Sequence, residues 1–330
     1  ITDDRWQHEF TSRQSKYADH VLYHSKAGYV KIENQRKNSP WSVELGLEMG
    51  AEFAGNPYQM YDGQMVQMPT EKGLKGFWHA FVPGGSDATD GEYTNAAGNQ
   101  MGSWLMRVNY QADSWALHAY LDHFFEDHSQ MLFLDYDGYG EGDEWLVHKK
   151  RRYYRYALKD MLWGLELNFK YTRWIKNIVF EYLYTKYQSG PYNHDRTQNI
   201  SDQVTGIDNY YNHGIYPGWQ HWGQVMGNPL YRSPIYNTNG QLYIYNNRFV
   251  AWHLGIDGAP TSRLAYRALA TYQEGWGTYD GPFNRKHHNI SFLAESSYRF
   301  NKGWKITAAY AMDFGSRMML DHNAGGQITV

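Results

Sequence analysis

From Trp41 to Ala54 every odd-numbered residue up to Phe53 is apolar (Trp41, Val43, Leu45, Leu47, Met49, Ala51, Phe53), while the even positions read Ser, Glu, Gly, Glu, Gly, Glu, Ala. On a helix a period of two scatters apolar side chains around the axis, whereas on a strand it places them all on one face. At about 3.3 Å per residue and roughly 45° of tilt, fourteen residues rise about 33 Å, enough to cross the apolar band of about 25 Å of an outer membrane.

The alternation recurs along the chain. Apolar rows of one parity are Trp104, Met106, Val108; Trp115, Leu117, Ala119, Leu121; Trp163, Leu165, Leu167, Phe169; and Ile178, Phe180, Tyr182, Tyr184. Further on come Val250, Trp252, Leu254, Ile256; Leu264, Tyr266, Ala268, Ala270, Tyr272; and Trp304, Ile306, Ala308, Tyr310, Met312. The opposite parity carries the charges, among them Glu44, Glu48, Glu52, Arg107, His118, Glu166, His253 and Arg267, which the pattern assigns to a wet lumen. Trp and Tyr cluster at the ends of the apolar rows, as girdles at the two membrane interfaces require.

Composition agrees with a barrel wall. The 330 residues hold 30 Tyr and 13 Trp, and the mean hydropathy of -0.73, with no apolar run near eighteen residues, excludes transmembrane helices. A net charge of -3 supplies no bulk attraction for nucleic acid. The absence of cysteine removes disulfides and thiolate metal sites and suits passage through an oxidising periplasm.

The reading yields eleven strands, near 20–33, 41–54, 102–111, 114–124, 160–170, 175–187, 247–257, 263–273, 288–299, 303–314 and 325–330. Short connections (34–40, 112–113, 171–174, 258–262, 300–302) alternate with long ones (55–101, 125–159, 188–246, and the lesser 274–287 and 315–324). Tight periplasmic turns and long extracellular loops give this asymmetry. The expected fold is therefore all-β: one antiparallel transmembrane β-barrel domain spanning 1–330. Because the first strand leads into a short turn and eleven is odd, an odd number of strands is expected before Ile1. Within the first long loop Gly73–Val82 is expected to be a short helix, broken by Pro83-Gly84-Gly85.

The loops carry more specific motifs. Asp208-Asn-Tyr-Tyr-Asn-His-Gly214, Gly218-Trp-Gln-His-Trp-Gly223, Gly227-Asn-Pro-Leu230, Ser233-Pro-Ile-Tyr236 and Tyr245-Asn-Asn-Arg248 resemble the capsule assembly Wzi family. So do Ala270-Thr-Tyr-Gln-Glu-Gly-Trp-Gly-Thr-Tyr279, His123-Phe-Phe-Glu-Asp-His-Ser129, Tyr187-Gln-Ser-Gly-Pro191 and the opening Thr2-Asp-Asp-Arg-Trp6. The resemblance covers nearly the whole chain in order and implies an outer-membrane barrel of about 18 strands, an even total within the usual range. It further implies a cell-surface protein that binds capsular polysaccharide and helps assemble or anchor the capsule, with lipopolysaccharide around it and a surface lipoprotein or outer-membrane complex as further partners. Residues 134–155 depart from the family pattern as an insertion.

Neutral sugars are held by flat rings against the apolar pyranose face and by amides and imidazoles on the hydroxyls. Residues 208–248 supply both: Tyr210, Tyr211, Asn212, His213, Trp219, Gln220, His221, Trp222, Tyr243, Asn246, Asn247 and Arg248, joined by Trp276. The same side chains can equally pack the loop against itself and plug the barrel mouth.

Other clusters have plainer readings. His118, His123 and His128 with Glu126 and Asp127 offer metal ligands, but their spacing does not place them on one strand face. Asp135, Asp137, Gly140, Glu141 and Asp143 partly mimic a calcium loop, with Tyr139 at an oxygen position and Leu146 where a bidentate Glu belongs. No metal and no cofactor are expected. The run His148–Arg155 mixes bases and aromatics and suits an anionic glycan, lipid A phosphates or the preceding acidic run. The chain has no Gly-x-Ser-x-Gly, His-Glu-x-x-His, phosphate loop or His-x-Ser. A carboxylate row such as Glu44, Glu48, Glu52 fits a water-filled lumen without glycoside cleavage. The expectation is a non-enzymatic binding protein; a porin-like channel for sugars or small solutes is the alternative.

Overall fold

The computed structural model describes residues 17–34, 39–82, 89–90, 93–94, 98–126, 160–188, 192–193, 204–205, 209–301 and 303–330. Eleven of the described strands form one antiparallel meander: β1 (Leu22–Glu33), β2 (Trp41–Phe53), β3 (Asn99–Gln111), β4 (Trp115–Glu126), β5 (Met161–Phe169), β6 (Asn177–Tyr184), β7 (Phe249–Gly258), β8 (Leu264–Gly277), β9 (Pro282–Arg299), β10 (Lys305–Gly315) and β11 (Asn323–Thr329). Each strand pairs with its neighbours in sequence order, the topology of a barrel wall. Among the described residues no helix is long and apolar enough to cross a membrane; strands do the crossing.

The registers carry one parity through the whole sheet. Leu45 faces Met106 across β2 and β3, Met106 faces Leu121, Leu121 faces Trp163, and Trp163 faces Tyr182. The row continues through Trp252, Tyr272 and Ile290. A slip of one residue at any ladder would turn the following strands inside out. The row is also in physical contact: the ring centroids of Tyr182 and Trp252 lie 5.6 Å apart, and those of Trp252 and Tyr272 5.7 Å apart. A second aromatic group sits at the short-turn end, where Trp41, Tyr110 and Trp115 follow one another at 4.7 and 5.3 Å.

Between these groups the outward face shows large apolar side chains to its surroundings: Leu45, Leu165, Phe180, Leu254, Phe292 and Tyr310 are all exposed. An apolar surface of this extent is untenable in water and is the lipid-facing band of an outer-membrane β-barrel. The opposite face holds the polar parity. Tyr120 lies there across Gly164, where a Cβ would stand 2.1 Å from the ring, so glycine is required for the aromatic to fold flat against the wall.

Two connections differ from the sequence reading. The 274–287 segment is not a loop: β8 and β9 continue as a ladder from Gly275↔His287, through a register shift, to Gly277↔Pro282. Alternation fails there because Arg285-Lys-His-His288 has left the lipid, while the backbone goes on pairing. Within 55–101, Tyr58–Tyr61 pairs with Gln64–Gln67 around Asp62-Gly63. Both turn residues have positive φ (47° and 73°), the two-residue turn whose twist matches paired strands. The expected short helix is present as α1 (Gly73–Phe81), closed by the Val82 N–H on Trp78 O.

Candidate functional site at the long-loop end of the lumen

Residues 209–247 leave the wall after β6 and return at β7, folding inward as a plug. Its interior is built like a soluble core: Tyr210, Tyr211, Trp219, Tyr231 and Ile244 pack on the inward side chains Leu183, Phe249 and Ala251, with Met101, Phe124 and Leu162 alongside. Tyr211 stacks on Tyr231 at 3.9 Å, and Tyr231 meets Phe249 edge-on at 4.9 Å. Gly218 has φ +78°, and a Cβ there would stand 2.2 Å from Tyr211 O. Glycine alone lets the two arms of the plug cross at that point.

A buried loop must satisfy its backbone without a ladder, and the wall supplies the partners. Tyr211 N–H donates to Glu126 Oε1 at 2.8 Å, Tyr210 N–H to Gln188 Oε1 at 2.7 Å, and Tyr210 O–H to Asp160 Oδ2 at 3.0 Å. Thr185 Oγ1 donates to Asn247 O at 2.7 Å, and Asn247 Nδ2 donates to Tyr210 O at 3.0 Å. Asn212 exchanges two bonds with the Ile244 backbone, at 3.0 and 2.9 Å. His213 Nδ1 accepts from both Ile215 N–H and Tyr216 N–H at 3.0 Å. Burial drives its imidazole down to about 4, and pushes the Tyr211 and Tyr216 phenols up to about 12.

The candidate sugar-binding residues divide on this plug. Tyr210, Tyr211, Trp219, Gln220, Asn246 and Asn247 are buried and hold the plug together. Asn212, His213 and Tyr243 are half-buried, with Tyr243 Oη accepting from Asn209 Nδ2 at 2.9 Å. His221 and Trp222 are exposed on the small ladder of Gln220–His221 with Gln224–Val225. Arg248 and Trp276 lie apart from these, at the top of β7 and β8. The Arg248 guanidinium sits 3.7 Å from the Tyr279 ring, and Lys186 Nζ 4.2 Å from that of Trp276.

A cleft of about 1020 Å³ opens between the plug and the β10–β11 hairpin, with Tyr236, Asn239, Tyr245, Arg232, Arg317 and Asp321 on its walls. Tyr236 is 66% exposed. Asn239 Nδ2 donates to Tyr245 Oη at 2.6 Å, and Arg232 donates to Tyr236 O at 2.7 Å, so amide and guanidinium are held beside the rings. Sequence reasoning missed this set. Its two halves are some eighty residues apart, and only Ser233-Pro-Ile-Tyr236 and Tyr245-Asn-Asn-Arg248 had marked the first half.

All eight lumen residues face inward, as their parity requires. Near the short turns they form a continuous polar web. Asn109 Nδ2 donates to Ser42 Oγ at 3.1 Å and to Glu44 Oε1 at 3.0 Å; Arg107 pairs with Glu166 at 2.8 Å. His118 bridges Asn109 Oδ1 and Asn168 Oδ1 at 2.5 and 2.8 Å. Higher up, Glu48 accepts from Tyr29 O–H, while Glu52 is buried beneath the plug and accepts from Asn99 Nδ2 at 3.1 Å. His253 pairs with Thr271 Oγ1 at 2.7 Å, and Arg267 with Glu295 at 3.3 Å. The carboxylate row is therefore wet at its foot and sealed at its head.

His118 and His123 point to opposite faces, since His118 shares the inward parity with Glu166 and His123 pairs with outward Met161. Asp127, His128, the acidic run Asp135–Leu146 and the basic run His148–Arg155 lie outside the described residues.

No protein-family model matches the chain, and no curated protein matches it. Two solved outer-membrane barrels are similar. OmpT of Vibrio cholerae, in-vitro folded, is 9% identical over 93% of this chain and 92% of that one, with a TM-score of 0.26. Wzi of Escherichia coli, described as an outer-membrane protein involved in group 1 capsule assembly and a carbohydrate-binding β-barrel, is 10% identical over 96% and 78%, with a TM-score of 0.25. The architecture rests on this chain's own sheet and outward face.

Proposed function

We propose that this barrel is a non-enzymatic cell-surface protein that binds capsular or other surface polysaccharide and assists capsule assembly or anchoring, in the manner of the Wzi family its loop motifs resemble. The observation that carries the reading is the cleft beside the plug. An exposed tyrosine, a second tyrosine, amides and Arg232 on the plug meet Arg317 of the β10–β11 turn there, and local hydrogen bonds hold the plug side in place, so little order has to be gained on binding. Ring faces suit pyranose carbons, and the amides and guanidinia suit hydroxyl and carboxylate oxygens. No bond is broken on this reading; Trp222 and His221, exposed nearby, extend the contact surface.

A porin-like channel is the second reading, favoured by one feature: a cleft of about 550 Å³ among Lys31, Glu44, Arg107 and His118 at the short-turn end. The plug above it argues for binding rather than flow. Retention of purified capsular polysaccharide by the full chain tests the choice. The double variant Tyr236→Ala, Tyr245→Ala is expected to weaken retention by roughly tenfold or more, the loss of about 1.5 kcal/mol or more of ring burial. Unchanged retention, or large steady single-channel currents in planar bilayers from the unaltered protein, would refute the proposal.

A further inference from the structure

Helix α1 hides its smallest side chains and shows its largest. Ala80 is buried on Ala51 and Phe53 of the sheet, and Gly76, one turn before it, is buried against the Glu71 backbone, while Leu74, Phe77, Trp78 and Phe81 are exposed, Leu74 at 88%. Those four occupy positions i, i+3, i+4 and i+7 and form one stripe. A helix covering a soluble core has the reverse arrangement.

The helix rests on the outward face of the wall. The Phe77 ring lies 5.2 Å from His24 and 6.4 Å from Phe53, and Gln100 Nε2 donates to His79 O at 3.5 Å. Lys26 donates to Ala80 O at 3.5 Å and also to Phe81 O, so a charge on the lipid-facing row of β1 is spent on the helix's free C-terminal carbonyls. His24 pairs with Ala51 and Lys26 with Met49, and Ala51 pairs with Gln100, all in the parity of Leu45.

Height decides what surrounds the helix. Trp41 belongs to the aromatic group at the short-turn end, and Ala51 lies beneath α1. Ten residues at about 3.3 Å each and roughly 45° of tilt separate them by about 23 Å along the membrane normal, close to the far rim of an apolar band of about 25 Å. At about 100° per residue, Lys72, Lys75 and His79 fall on the flank opposite the 74/77/78/81 stripe, with Ala80 on the wall between them; Glu71 pairs with Lys75 and His79 there. Lys72 donates to Asn56 Oδ1 at 3.0 Å, beyond the level of Ala51, while the Ala80 and Phe81 carbonyls meet Lys26 at the level of Met49. The N-terminal end of the helix therefore stands on the water side and the C-terminal end on the membrane side.

We infer that α1 is an interfacial helix in the outer leaflet: Leu74, Phe77, Trp78 and Phe81 lie among lipid acyl chains, and the polar flank of Lys72, Lys75 and His79, with Glu71 paired to the last two, lies at the headgroup level. The stripe is continuous with the lipid-facing band, and its Trp and Phe beside basic residues have the composition of helices that lie in a membrane interface. The inference rests on the outward face being in lipid, as the proposed function does, and its test separates the two.

The chain has no cysteine, so Leu74→Cys, Phe292→Cys and Tyr236→Cys each carry a single nitroxide on an exposed position. The labelled full chains are folded into phosphatidylethanolamine–phosphatidylglycerol vesicles, and collisions with oxygen and with a water-soluble nickel chelate are compared. The expected result is that Leu74→Cys follows Phe292→Cys, with an oxygen-to-nickel ratio several-fold above that at Tyr236→Cys. A nickel-accessible label at 74 beside an oxygen-accessible one at 292 overturns the interfacial helix and leaves the barrel standing. A label at 74 shielded from both, as by a second copy, also overturns it. A nickel-accessible label at 292 overturns the membrane wall itself and the helix with it.

Discussion

The wall and the plug share a chain but not a way of being stable. In the wall every residue repeats the relation of the one two places before it: ladder bonds close the backbone, one parity meets lipid, the other water. In the plug nothing repeats. Tyr211 and Trp222 take positive φ (72° and 52°), and backbone groups are closed by particular side chains such as Glu126, Gln188, Asp160 and Asn247. Its rings pack on one another around a cavity of about 200 Å³ lined by Tyr210, Tyr211, Tyr231 and Glu126. The wall tolerates local change because each strand from β2 to β10 is held by two neighbours, whereas the plug concentrates its stability in a few rings and bonds.

The comparison fails if the two regions unfold as one. Tyr231→Ala removes the ring between Tyr211 and Phe249, a truncation that costs about 3–5 kcal/mol in a close-packed site. The expected outcome is a plug that opens while the wall persists: channel currents appear and proteases cut within 209–247, with the β-sheet circular dichroism unchanged. Joint loss of sheet signal would mean that the plug is integral to the wall. The converse probe is Leu165→Arg, outward on β5, which places a cation in the apolar band at about 2–4 kcal/mol near the midplane. It is expected to lower the folded fraction in vesicles, measured by urea titration, while the molecules that fold retain polysaccharide normally.

The same contrast explains what could be read from the residues. A period of two sets the face of every wall residue once a single strand is oriented, and the ladders carry Glu44, Arg107, His118, Glu166, His253 and Arg267 on one shared parity, opposite that of Leu45. Strand ends were less legible: above the lipid the β8–β9 hairpin keeps its ladder but loses its apolar parity. In the plug, residue type signals chemistry without exposure. Trp219 and Trp222 stand three apart in one motif, yet Trp219 is buried at 2% and Trp222 exposed at 43%. The cleft was illegible because Tyr236 and Asn239 meet Arg317 and Asp321 only through a tertiary contact that no local pattern announces.

The smallest effect is the most specific to the plug. His213 holds two backbone N–H groups on Nδ1, a role open only to the neutral ring, with its remaining proton on Nε2. Its pKa falls from an ordinary 6.5 to about 4 in the folded protein, so protonation is easier once the plug is open. The sign follows: the stabilisation is complete above pH 6.5 and is lost as pH falls toward and through 4. Hydrogen exchange at the amides of Ile215 and Tyr216 is expected to quicken over that interval, relative to intrinsic rates, with no matching change in wall amides such as Leu165 or Leu254. His213→Asn, which keeps a side-chain acceptor and does not titrate, is expected to flatten the dependence. Equal acceleration in plug and wall would place the titrating group elsewhere and would break the claim that the two regions are stabilised separately.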